Sequence, residues 1–340
     1  MMHESYAIGA VAPHAVEEVV MSTMTLYQAI NMETIKNWIG DTPIGEPDHF
    51  QVTDGYRVQD YYGSFQYDDS GVFAGTMNAT TAYQNGLYFS VEGFSYSAPQ
   101  MMFYIESGYI DQALSTMLSG DDIINGSSGD DVIKGYQGND SLNGNAGNDT
   151  FIAGTGNDRI DGGSGIDTVN YANSKTAYTV TKTGSSFIVT DKSGPVDTLT
   201  NVERLHFGDG TQLALDVSAG ENTGSAYRLY EAAFGRKADT SGLNFWTKNL
   251  DAGVSLTQIA EGFVASKEFK ALNPGSDQSS IINSYYLNVL HRAADAPGLK
   301  FWSEAVENGM KPGELLVAFS ESQENIHNTA AELANGVWLV

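Results

Sequence analysis

Between Met117 and Tyr171 the sequence repeats every nine residues, and no other feature restricts the fold as much. One column holds Gly120, Gly129, Gly138, Gly147, Gly156 and Gly165. Two places later come Asp122, Asp131, Asp140, Asp149, Asp158 and Asp167, and two places after those come Ile124, Ile133, Leu142, Phe151, Ile160 and Val169. A second glycine column holds Gly126, Gly135, Gly144 and Gly162, with Ala153 as its one lapse. The pattern is G-G-x-G-x-D-x-U-x with U apolar, which reads as a parallel β-roll that binds calcium.

Each column has a physical reason. Glycine permits the tight turn and leaves room for main-chain carbonyls to face an ion. Aspartate supplies the hard oxygen that Ca2+ takes. The apolar residue lies in a very short strand and points into the roll. Two nonapeptides make one turn of 18 residues, and stacked turns lie about 4.8 Å apart. Asp122, Asp140 and Asp158 then line one side, and Asp131, Asp149 and Asp167 the other. Ions are expected between 122/140, 140/158, 131/149 and 149/167, which makes four well-formed sites and leaves weaker ones open at the ends. Without calcium the stacked carboxylates repel, and the strands are too short to hold alone. Asp121, Asp130, Asn139, Asn148 and Asn157 precede the aspartates and are read as turn residues that bond backbone rather than as ligands.

Six registers in a row resemble the RTX repeats of proteins exported by type I systems of Gram-negative bacteria. That resemblance implies Ca2+ as cofactor, with the six aspartates and the six glycines of the first column as metal-site residues. It also implies export by the type I secretion machinery and a secreted, extracellular or cell-surface location.

Composition agrees with a cation as partner. Asp and Glu number 42 against 17 Lys and Arg, a net charge of −25, which argues against nucleic acid and anionic membranes. Cysteine is absent, so neither disulfides nor a thiolate metal site is expected. No apolar run approaches the roughly 18 residues of a membrane span, so no transmembrane segment is expected. Residues 1–35 contain no Lys or Arg and no apolar h-region, so no N-terminal secretory signal is expected either.

Residues 1–116 read as an N-terminal helix plus an antiparallel β domain. Val16, Val19, Val20, Met24, Tyr27 and Ile30 recur at helical spacing, and a second short helix is expected around Ile35, Trp38 and Ile39. From Phe50 the period becomes two. A turn at Asp68-Asp69-Ser70-Gly71 and a hairpin signal at Asn85-Gly86 punctuate strands that run to about Tyr96. Tyr109 to Leu118 reads either as a short helix or as the first coil of the roll. Nine tyrosines fall between Tyr56 and Tyr109, mostly half-buried strand residues on this reading. Residues 172–219 read as a β cap over the open end of the roll. It has a hairpin around Gly184-Ser185, and its segment Asp197 to Thr211 is similar to the one that closes many RTX arrays. His206 is read as a strand residue.

Residues 220–330 contain a second repeat at an offset of 56. Tyr230 matches Tyr286, Arg236 and Asp239 match Arg292 and Asp295, and Gly242-Leu243-x-Phe245-Trp246 matches Gly298-Leu299-x-Phe301-Trp302. Each unit reads as three helices with a Phe-Trp core, the Arg and Asp pinning a loop as an ion pair. The region resembles a helical domain of unknown function at the C-terminal end of bacterial RTX proteins, including surface-layer-like and adhesin-like ones. Residues 331–340, with their short apolar end, are similar to a type I secretion signal.

The fold class expected is multidomain α+β: an N-terminal mixed helix and antiparallel-sheet domain, a central parallel β-roll (117–171) with its cap, and a C-terminal all-α domain. A search for chemistry finds no H-E-x-x-H, no G-x-S-x-G and no P-loop, and the six histidines are scattered. The expectation is a secreted, non-enzymatic calcium-binding structural protein that self-associates in a surface layer, filament or biofilm matrix. The alternatives are a calcium-dependent adhesin or module for extracellular polysaccharide, and an unrecognised enzyme in residues 1–116.

Overall fold

The computed structural model describes residues 21–30, 32, 46–53, 57–68, 71–84, 87–274 and 277–340. The chain is mixed α+β, with a parallel β-roll in its middle and helices at its C-terminal end. Strands Ile123–Asn125, Ser141–Asn143 and Arg159–Asp161 pair in parallel on one side of the roll. Val132–Lys134, Thr150–Ile152 and Thr168–Tyr171 do so on the other. Successive nonapeptides thus alternate between two sheets. Each stacking step is 18 residues, with Ile124 opposite Leu142 and Leu142 opposite Ile160. The apolar column from Ile124 to Val169 fills the interior, every member 2% exposed or less.

The roll is longer than its repeat. Thr23–Leu26 pairs in parallel with Ile123–Asn125 and antiparallel with Leu87–Ser97. Met24 stands opposite Ile124 and is fully buried, as Ile124 is. On the second side, the Met32 N–H donates to Val132 O and the Val132 N–H to Ile30 O. Ser22 to Ile30 and Met32 therefore add one further turn that contains neither Gly nor Asp. This corrects the helix expected through Met24, Tyr27 and Ile30. Met24 and Leu26 inward with Thr23 and Thr25 outward is a two-residue period, and strands on both flanks satisfy the backbone. Val16 to Val20 of that expected helix, the helix expected at Ile35 to Ile39, and the turn residues 69–70 and 85–86 lie outside the described residues.

His49–Thr53, Arg57–Asp68, Gly71–Gln84 and Leu87–Ser97 form the antiparallel sheet. Helices Ala98–Glu106 and Ile110–Met117 lead from it into the roll. Of the tyrosines here, Tyr61 is buried, whereas Tyr62, Tyr83 and Tyr109 are exposed. Beyond the repeat, Val196–Thr200 stacks on Arg159–Asp161 and Arg204–Phe207 stacks on Thr168–Tyr171, both in parallel. The cap is thus one more turn of the roll, with the hairpin Tyr178–Thr183/Ser186–Asp191 inserted before it. The antiparallel strands, one side of the roll and this hairpin make a single 11-stranded sheet.

Among the described residues eight helices follow as two sets of four, 56 residues apart: Asn222–Phe234, Thr240–Asp251, Leu256–Ala265 and Lys267–Leu272, then Gln278–Leu290, Ala296–Glu307, Pro312–Ser320 and Gln323–Leu333. The polar stretch from about Glu321 to Leu333 reads as a helix and is one, Gln323–Leu333, whereas its counterpart in the first unit, Lys267–Leu272, was missed by the reading of three helices per unit. Trp246 packs on Phe263 and Trp302 on Phe319, both at 4.9 Å. Phe245 and Phe301, however, are 57% and 62% exposed, so the expected Phe-Trp core rests on tryptophan alone. The Arg-Asp loop pins are also corrected. Arg236 and Arg292 reach Glu268 and Glu324 of the fourth helices. Asp239 and Asp295 instead accept from the N–H groups of Gly242 and Gly298, because a helix start leaves such donors unpaired.

Met24 carries the join between the antiparallel sheet and the roll. Met24→Ala is expected to cost about 2–5 kcal/mol of stability, the usual range for truncating a fully buried methionine. Urea unfolding of the calcium-loaded protein measures it, and a loss under about 1 kcal/mol would contradict the packing described.

Candidate metal centre

The aspartate column forms two ladders. Oδ1 of Asp140 accepts the backbone N–H of Asp122 at 2.9 Å, and Oδ1 of Asp158 accepts that of Asp140 at 2.9 Å. On the other side, Asp149 accepts from Asp131 and Asp167 from Asp149, both at 2.8 Å. Each carboxylate therefore reaches one turn back along the roll. All six aspartates are buried, none more than 1% exposed. The residues before them form an outer, exposed ladder that reaches one turn forward. The side chain of Asp121 accepts the N–H of Asn139, Asp130 that of Asn148, and Asn139 that of Asn157. These side chains bond backbone, in the manner of turn residues.

The first glycine column makes this stacking possible. Gly138, Gly147, Gly156 and Gly165 have φ between +123° and +145°. A Cβ at Gly138, Gly156 or Gly165 would fall within 1.8 Å of the carbonyl oxygen of Gly120, Gly138 or Gly147, one turn earlier. Gly129, Gly120 and their successors thus bring main-chain carbonyls against the loop of the next turn. In the second column, a Cβ at Gly135 would stand 2.7 Å from Oδ2 of Asp140, and one at Gly144 2.2 Å from Oδ2 of Asp149. At these positions carbonyl and carboxylate oxygens stand where a Cβ would be, so glycine lets the oxygens of neighbouring loops gather.

Four of the six Oδ2 atoms, those of Asp140, Asp149, Asp158 and Asp167, are buried with no hydrogen-bond partner among the described residues. A buried, unpaired carboxylate oxygen is costly unless a cation meets it. Burial pushes the Asp140 carboxyl up to about 8, with the Asp158 and Asp122 charges adding to the rise against the backbone N–H that it accepts. Burial likewise pushes Asp149 and Asp158 up to about 7 and Asp167 to about 6. All donors are hard oxygens, which suits Ca2+. Among the described residues no three acidic or histidine side chains converge on one point. Carbonyls of the glycine loops must therefore supply most of any coordination shell. The residues present fit the ion.

The two N-terminal loops differ. Oδ2 of Asp131 accepts from both the backbone N–H and the hydroxyl of Ser127, at 2.7 and 2.8 Å, and Oδ2 of Asp122 accepts from the Gly120 N–H at 3.3 Å. Their Oδ1 atoms accept from Ile30 and Ser22 of the added turn. At the other end the ladders run past the repeat. Oδ1 of Asp197 accepts the N–H of Asp158 across 39 positions, and the Glu203 carboxylate accepts that of Asp167 across 36. Oδ2 of Asp197 is held by the Tyr171 hydroxyl at 3.0 Å. The nine-residue count missed Asp197 and Glu203. Their signal was an acid two places before a core leucine, Asp197-x-Leu199 and Glu203-x-Leu205. Burial pushes Glu203 up to about 7, helped by Asp167 and Asp216. His206 lies within the strand Arg204–Phe207.

The model of the RTX calcium-binding nonapeptide repeat (4 copies) matches residues 118–151 and 135–169, and that of a domain of unknown function, DUF4214, matches 220–273 and 274–329. No curated protein matches the sequence. Among solved structures, the extracellular lipase of Serratia marcescens is 31% identical over 26% of this chain and 14% of its own, with a TM-score of 0.25. A subunit of the mannuronan C5-epimerase of Azotobacter vinelandii is 22% identical over 24% of this chain and 71% of its own, with a TM-score of 0.19. The chain thus spans about one seventh of the lipase. It carries RTX calcium-binding nonapeptide repeats, which form the roll, followed by two copies of the DUF4214 domain.

Proposed function

We propose that this is a secreted structural protein whose β-roll folds on extracellular Ca2+ and which then self-associates at a cell surface or in a biofilm matrix. The observation that carries the reading is the set of four buried, unpartnered Asp Oδ2 atoms in stacked loops. In the metal-free chain these oxygens oppose folding, and a bound cation supplies the positive charge that the loops lack. The sites proposed lie between 122/140, 140/158, 131/149 and 149/167, with glycine carbonyls completing each shell. Extracellular calcium modules bind at about 10⁻⁴ to 10⁻³ M. Ten-fold excess then contributes about 1.4 kcal/mol per site, roughly 6 kcal/mol for the four sites, which is the scale of a domain's whole stability. No catalytic role is assigned to any residue. The DUF4214 pair and the antiparallel sheet serve on this reading as docking surfaces.

On this site map Asp140 and Asp149 each belong to two sites, and Asp122 and Asp167 to one. Asp140→Asn and Asp149→Asn are expected to raise the calcium midpoint of folding more than Asp122→Asn and Asp167→Asn do. Circular dichroism during calcium titration measures this, and equal midpoints for all four would reject the map.

Acidity gives a second check. In chelator, the ladder carboxyls bind protons more tightly folded than unfolded. Their contribution is fully present below the ordinary carboxylate range and is lost as pH rises through about 6 to 8. The metal-free roll is expected to show more β structure at about pH 5 than at about pH 8.5, and saturating calcium should remove the difference. A metal-free roll that gains order with rising pH would overturn the account of its electrostatics.

Assembly is tested by electron microscopy of the whole chain in millimolar calcium and in chelator. Ordered sheets or filaments with calcium alone are expected. Monodisperse particles in both conditions would remove self-association and leave calcium-dependent folding standing.

A further inference from the structure

Val337–Trp338 forms the outer strand of the second sheet, whose order runs from it through Gln212–Ala214, Arg204–Phe207 and Thr168–Tyr171 into the roll. Trp338 stands opposite Leu213 and Val337 opposite Ala214, antiparallel, and the Leu339 N–H donates to Gln212 O at 2.9 Å. Leu339 is 1% exposed. The Trp338 ring lies 5.8 Å from that of Phe207 and under the Lys175 ammonium at 4.5 Å. Asn335 Oδ1 accepts the Lys182 N–H of the cap hairpin at 3.0 Å. Gly336, at φ +88°, lets the chain pass so close that a Cβ there would meet Ala214 O at 2.5 Å. The C-terminal end is thus seated on the cap, more than a hundred residues back along the chain.

What it sits on depends on the roll as well as on the helices, since Ala214 and Leu339 are buried in the helical core while Gln212–Ala214 continues the second sheet of the roll. Among the described residues, Gln212–Ala214 has no strand partner other than Arg204–Phe207 and the tail itself. Arg204–Phe207 in turn is held by Thr168–Tyr171 and by Asp167, whose carbonyl accepts the N–H groups of Glu203 and Arg204 at 3.1 and 3.0 Å. Asp167 is one of the four residues with an unpartnered Oδ2. Strands of three or four residues do not persist without such neighbours.

We infer that residues 335–340 are a calcium-gated strap: they dock on the cap strand Gln212–Ala214 when the roll is loaded and come away from it when the roll is empty. This rests on the reading that calcium folds the roll. Linkage makes the coupling reciprocal, so a docked tail tightens calcium binding as calcium tightens docking.

Carboxypeptidase digestion of the whole chain, followed by intact mass, reads the state of the tail, while circular dichroism on the same samples reads the roll. With millimolar calcium, residues 335–340 should stay on; in chelator they should be removed. Leu339→Asp, which places a charge in the buried seat, should free the tail in calcium and raise the calcium midpoint about fivefold or more. If circular dichroism shows the roll responding to calcium while the tail is cut at one rate in both conditions, the strap is overturned and the calcium reading stands. If Leu339→Asp frees the tail and leaves the midpoint unchanged, the coupling is overturned. If neither readout responds to calcium, the reading beneath it fails and the strap fails with it.

Discussion

The bond on which the roll depends is the one from a backbone N–H to the Oδ1 of the aspartate one turn later. It fixes the spacing of turns and the direction in which each carboxylate points. It also brings the carboxylates of each ladder into line inside the protein, where burial and like charge both resist ionisation. One oxygen of each aspartate builds the scaffold. In four of the six, the other oxygen has no partner among the described residues. The scaffold therefore creates the electrostatic problem that a divalent cation resolves.

Both ends of the roll are closed by hydrogen bonds from the protein itself. At the N-terminal end, Ser22 and Ile30 supply the backbone donors that a further repeat would have supplied, and Ser127 satisfies the free oxygen of Asp131. At the C-terminal end, Asp197 and Glu203 accept the last ladder donors, and the Tyr171 hydroxyl satisfies Asp197. These terminal turns are cut from segments with other duties. The upstream turn belongs to the strand that begins the antiparallel sheet, and the downstream turn is the cap itself. Folding of the roll is thereby coupled to the sheets on both sides of it.

The helices are fastened to the cap by buried charge. Arg204 is paired with Asp216 and with Asp251 of the helix Thr240–Asp251. Arg228, 1% exposed, pairs with Glu321 and donates to Val217 O and Ser218 O. Breaking such a pair leaves an unmatched buried charge, which is far costlier than losing a surface ion pair. Helices, cap and C-terminal strand are therefore tied together by contacts that span long stretches of sequence.

The sequence by itself determined what is local and periodic. Nine-residue spacing dictated the alternation of strands between two sheets, the buried apolar column, and the six aspartates, because each repeat meets a copy of itself one turn on. The offset of 56 gave the duplicated helical unit for the same reason. Only the tertiary structure decided what has no period. Ser22 to Ile30 and Met32 include no Gly or Asp, so nothing local marks them as a turn of the roll; the pairing of their strand is fixed by Ile123–Asn125, a hundred residues away. Asp197 and Glu203 lie 39 and 36 residues from their ladder partners because a hairpin intervenes, which hides them from any count by nine. Phe245 and Phe301 read as core from the repeated Gly-Leu-x-Phe-Trp motif yet face outward, since which side of a helix is buried depends on what packs against it. The same holds for the last residues of the chain, which become a strand because the cap offers them an edge.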